Sequence, residues 1–223
     1  MTTFFLSIRF VAQTTLMTIT VSCLTFSPVR AQPFKDMLTS SFTRFDSATE
    51  IPAMTAAASH LEMIAVKNPD KWASYFYSAY AHIKLSYKLG DKDRRDQYLD
   101  EADASLTKAD KLSPNNEEIF ILQAYSAKAR IAASPKERWK KYGDIYSDLI
   151  SKAKKIKAEN PRIYFMEGMD PFWRPKIWGG GKNKAKPYFQ KAKELFSKED
   201  RSDILKPYWG QQANEEFLKQ CDQ

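Results

Sequence analysis

Three copies of a proline phrase, spaced almost evenly, constrain this chain more than any other feature. They read Ala65-Val66-Lys67-Asn68-Pro69, Ala109-Asp110-Lys111-Leu112-Ser113-Pro114 and Ala158-Glu159-Asn160-Pro161, so the prolines recur after 45 and then 47 residues. Each phrase closes one apolar-periodic stretch and opens another, the pattern of helical hairpins stacked one upon the next. With only 7 glycines, 3 of them in one cluster, a sheet-rich fold is not expected. A stack of hairpins presents a surface, which points to binding rather than catalysis.

The periodicity predicts helices over about Pro33–Phe45, Glu50–Val66, Asp70–Leu89, Lys92–Leu112, Asn116–Ala133 and Lys136–Ala158. Shorter ones follow over Arg162–Met169, Lys182–Lys198 and Pro207–Gln220. Pro171, Pro175 and the glycines 179–181 exclude a continuous helix between Asp170 and Gly181. The expected fold is all-α, a right-handed solenoid of about four helical hairpins closed by a C-terminal capping helix.

Residues 1–31 read as a signal peptide: Arg9 precedes a largely apolar run, and Val29-Arg30-Ala31 offers small residues to a peptidase. An alternative places lipidation at Cys23, with Thr20-Val21-Ser22 before it. The domain is then 32–223. Without Arg9 and Arg30 it holds 33 basic against 27 acidic residues, a net of +6. That excess is spread along helices, with Lys152, Lys154, Lys155 and Lys157 as the one dense patch, so nucleic acid is not an expected partner. No later stretch approaches the roughly 18 apolar residues of a membrane helix. The product is expected to be exported, periplasmic or secreted, and not membrane-spanning. Cys221 alone survives cleavage, so no internal disulfide is possible and a dimer through Cys221 is conceivable.

Chemistry-bearing motifs are scarce. His60 and His82 lie on different helices with no paired-ligand spacing, so no metal is expected. Gly179-Gly180-Gly181-Lys182 fails as a phosphate loop, because Lys176 stands where the first glycine belongs and Asn183 follows the lysine. No nucleophile has a base beside it, and no cofactor motif is present. An enzyme is not the expected class.

The aromatics carry the binding expectation. Tyr77, Tyr80, Lys84, Tyr125 and Lys128 lie on the first helices of hairpins, where tyrosine beside lysine suits capture of a protein or peptide. Packing between helices is the competing role for each tyrosine. Phe172, Trp173 and Trp178 either plug the end of a core, with Trp209 as natural partner, or form a ligand platform suited to sugar rings. The reading is an adaptor that binds a protein or peptide. A carbohydrate-binding accessory protein and a structural envelope component are the alternatives.

Trp72, Ala79-Tyr80, Ala102, Leu106, Ala109, Leu112-Ser113-Pro114 and Ala124-Tyr125 together resemble tetratricopeptide repeats, although the usual period is near 34. Asn68-Pro69-Asp70-Lys71-Trp72, Leu112-Ser113-Pro114-Asn115-Asn116, Glu159-Asn160-Pro161-Arg162 and Pro207-Tyr208-Trp209-Gly210 extend the likeness. Across nearly the whole chain it is similar to small exported tetratricopeptide-repeat proteins of Bacteroidetes-type bacteria. That resemblance implies fold and compartment and no assigned activity. Such sequences often carry a cysteine after the pair matching Pro187-Tyr188. Phe189 stands there, which implies an unpaired Cys221.

Overall fold

Each proline phrase ends one helix and starts the next. The computed structural model describes residues 33–223; the expected leader 1–31 and Cys23 lie outside the described residues. The helices are α1 (Phe34–Ser47), α2 (Ile51–Lys67), α3 (Trp72–Lys88), α4 (Lys92–Leu112), α5 (Glu117–Ala133), α6 (Pro135–Ile156), α7 (Pro161–Trp173), α8 (Lys182–Phe196) and α9 (Gln211–Cys221). Among the described residues there is no strand, and no helix is long and apolar enough to cross a membrane.

Local chemistry sets the boundaries. Pro135 and Pro161 occupy first-turn positions, where the missing N–H is no loss. Asp91, Asn116 and Asn160 cap α4, α5 and α7, their side-chain oxygens accepting from the N–H of Arg94, Glu118 and Arg162. Asn115 takes a left-handed conformation (φ 56°) in the α4–α5 turn, a role asparagine tolerates.

The consecutive helices α1–α2, α3–α4, α5–α6 and α7–α8 pair as hairpins in a row, and α9 packs on α8. The first helices of successive hairpins also touch, α3 against α5 and α5 against α7. One continuous core runs through the row, from Leu38 and Phe42 through Phe76, Leu99, Ile121 and Phe165 to Phe189.

Two elements differ from the periodic reading. Helix α7 continues past Met169 through Pro171 to Trp173. A proline in the final turn removes one helical bond only, and the Pro171 carbonyl is satisfied by the Gly181 N–H at 2.7 Å. The last helix begins later than expected, at Gln211, because Gly210 turns the chain at φ 96°. Residues 197–210 are therefore free to run back over α3, α5 and α7.

That returning segment closes the inner face. Tyr77 donates its hydroxyl to the Ile204 carbonyl at 2.8 Å, and Arg162 donates to the Pro207 carbonyl at 2.5 Å. Trp209 stacks on Tyr125 (centroids 5.5 Å apart, planes 11° apart) and meets Tyr80 at 5.3 Å. Arg162 is 1% exposed, paired with Glu118 at 3.2 Å and Glu199 at 2.7 Å, and Asn160 donates to the same Glu118 at 2.6 Å. Its guanidinium also lies 5.6 Å from the Phe196 ring and 5.5 Å from Trp209.

Candidate functional site

The expected tyrosine groove is filled. Tyr77, Tyr80 and Tyr125 are buried beneath Trp209 and its neighbours, so none of the three offers contact area to an outside partner. Lys84 is half-buried, and burial draws its amine below the ordinary value against the opposing pull of Asp46 and Glu216. Lys128 is turned to an internal partner, the Asp170 carboxylate at 2.5 Å. Packing, the competing role for these tyrosines, is the one they fill. The cause is the extended stretch before Gly210, which a helical reading of Pro207–Gln220 could not place.

The cysteine is also not presented. Cys221 is buried, and burial pushes its thiol up, so it is poorly placed for a disulfide between copies. Phe189 is a core ring stacked on Phe217 at 5.5 Å.

Helices α6 and α7 bound a cleft of about 450 Å³, lined by Tyr146, Ser147, Ile150, Ser151, Lys154, Lys155 and Glu167. Tyr146, Ile150 and Lys154 follow at spacings of four, so one face of α6 carries all three. Tyr146 is buried, and its hydroxyl has no hydrogen-bond partner. An orphaned buried hydroxyl costs about 1–3 kcal/mol, so this one has a reason to be sought. Burial, aided by the carboxylates of Asp170 and Glu167, holds the phenol well above its ordinary value. The Lys128 amine sits 4.5 Å from the Tyr146 ring centre. Lys154 reaches Glu167 at 2.9 Å, and that hydrogen bond raises its amine. The sequence reading marked the lysine patch but not Tyr146; the four-residue spacing back from Lys154 was the available signal.

A second recess of about 320 Å³ lies between α4, α5 and α6. Its charge is internally spent: Arg130 binds Asp100 at 2.6 Å and Asp103 at 2.7 Å, and Ser126 donates to Asp103. That leaves little polar capacity for a ligand.

The aromatic loop divides. Phe172 turns inward against Phe217 at 4.9 Å, whereas Trp173, Ile177 and Trp178 stand 67%, 83% and 70% exposed. Trp173 touches only the edge of this cluster, at Phe172 and Phe217, and Trp209 packs elsewhere, so the expected plug is made by Phe172 alone. The loop turns tightly. A side chain on Gly180 would overlap the Arg174 carbonyl, and the Trp178 and Gly180 amides both donate to the Pro175 carbonyl.

The chain matches no protein-family model, and no curated protein matches it in sequence. Among solved structures it is similar to the HusA haemophore from Porphyromonas gingivalis. The two are 28% identical with a TM-score of 0.74, over 86% of this chain and 94% of that one. That neighbour is named as a haemophore, and the likeness extends over nearly its whole length.

Proposed function

We propose that this protein is an exported, non-catalytic carrier whose cargo is a haem-type tetrapyrrole, held at the cleft between α6 and α7. The likeness to a haemophore over 94% of that protein's length carries the reading. In the same reading the row of hairpins is a right-handed tetratricopeptide-like solenoid whose inner face serves as core and whose outer clefts serve binding. A haem is a flat apolar ring bearing two carboxylates and a ferric iron. It calls for apolar contact, cationic groups and an oxygen or nitrogen donor. Lys155, with no ion pair among the described residues, supplies the second, and Lys154 would exchange Glu167 for a haem carboxylate. The ring would part α6 from α7 to reach Ile150 and the buried, unpartnered Tyr146 hydroxyl, the apolar contact and the donor. The cleft volume falls within the range of small-molecule sites.

The expected result is a Soret shift on titration with ferric haem that saturates at one equivalent. Tyr146→Phe should weaken binding by about tenfold or more, an energy of about 1.4 kcal/mol. The variant should melt no lower than the wild type, since it removes a buried hydroxyl without a partner. The phenol is held above its ordinary value, so it is protonated in the empty cleft at neutral pH. Ligation would release that proton, so affinity for ferric haem should rise with pH by up to about tenfold per unit. Iron-free protoporphyrin should show neither the pH slope nor the Tyr146→Phe loss. Absence of haem binding by the wild type would sink the proposal.

A second reading is favoured by the exposed Trp173 and Trp178, a platform for a flat ring or a sugar. Under it, Trp173→Ser/Trp178→Ser abolishes ligand binding while Tyr146→Phe leaves it intact. Either way the double variant should change the melting temperature little, because both indoles are largely in water.

A further inference from the structure

Three helices bring one histidine and two carboxylates to a single point far along the chain from the α6–α7 cleft. His82 on α3 is 3% exposed. Its Nε2 lies 2.6 Å from Glu62 Oε1 on α2 and 3.5 Å from Glu101 Oε2 on α4. One donor atom from each residue falls within 4.8 Å of the others. The carboxylates are 43% and 58% exposed, so the point opens to solvent on one side and is anchored by a buried ring on the other.

One carboxylate suffices to accept a proton from the ring. The second adds like-charge repulsion a few ångströms from the first. Among the described residues neither Glu62 nor Glu101 forms an ion pair with a lysine or arginine, in a chain that has 35 of them. A cation at this point would relieve the repulsion and satisfy all three donors. One imidazole nitrogen and two carboxylate oxygens, with room for water, is a donor set for a borderline divalent metal such as zinc, with open positions left over.

We infer that Glu62, His82 and Glu101 form a binding site for one divalent cation of the zinc class, with water completing the coordination. The other ring nitrogen, Nδ1, is buried without a partner, so no acceptor behind the ring strengthens the ligand. Affinity should therefore be micromolar rather than tighter. The carboxylates need only small side-chain shifts to open the 2.6 Å contact to a metal-bridged spacing, and their exposure allows it.

The test is titration of the metal-free protein with Zn²⁺ by calorimetry and with Co²⁺ by visible absorption. One equivalent of each should bind, with Co²⁺ giving the intense d–d bands of a low-coordinate site. Glu62→Gln/Glu101→Gln should weaken both by at least about tenfold while the metal-free protein melts as the wild type or slightly higher. Ferric haem titration of that variant should be unchanged, since Tyr146 is untouched; the metal site and the haem reading can thus fail separately. No binding, or equal binding by the variant, overturns the inference.

Discussion

Arg162→Leu is expected to lower folding stability by about 3–5 kcal/mol, enough to unfold much of a protein of ordinary stability. The guanidinium is the hub joining α5, α7 and the returning segment, through Glu118, Glu199 and the Pro207 carbonyl. Leucine would refill part of the volume but strand Glu118, itself buried, and leave the Pro207 carbonyl without its donor. Burial pushes the Glu118 carboxyl up, and Arg162 is the main influence holding it down. In the variant that carboxyl therefore rises further. A group whose folded-state pKa lies above its unfolded value contributes stability at low pH that is lost as pH rises through those two values. The deficit should thus be largest at neutrality and shrink as pH falls into the carboxylate range. Urea melts of both proteins across that span measure it. An equal deficit at every pH would mean that lost packing, and not the stranded carboxylate, dominates.

Trp209→Ala should cost a similar amount, about 3–5 kcal/mol, the usual range for truncating a buried tryptophan. The indole stacks on Tyr125, meets Tyr80 and Phe165, and lies over Arg162, so its loss opens a cavity where three hairpins converge. Tyr80 and Tyr125 should become accessible, visible as a shift in tyrosine near-ultraviolet dichroism. Trp209→Phe should recover part of the loss. If Trp209→Ala instead melts within a degree of the wild type, the returning segment contributes nothing and the inner face is an open tyrosine groove after all.

The proline phrases, the amphipathic stripes and the asparagine and aspartate caps made the helix count and most boundaries readable. Each depends on residues within about four positions of one another, and such interactions are encoded locally. The Pro171–Trp173 extension of α7 was not readable, because it depends on the Gly181 amide ten residues on. Tyr146 illustrates the same limit at the site. Its place on a face with Ile150 and Lys154 follows from spacing, but the influence of Asp170 and Glu167 on its phenol depends on where α7 lies.

From sequence alone came the all-α class, the row of hairpins and the interruption of helix around two tryptophans, whose exposure only the structure decided. Tertiary structure alone decided that Tyr77, Tyr80 and Tyr125 are core, that Trp209 seals them, and that His82 meets Glu62 and Glu101. Those outcomes depend on side chains from 19 (His82 and Glu101) to 129 (Tyr80 and Trp209) residues apart. No periodicity in a helix specifies which distant segment will cover its second face, and burying that face is what turned an expected groove into core.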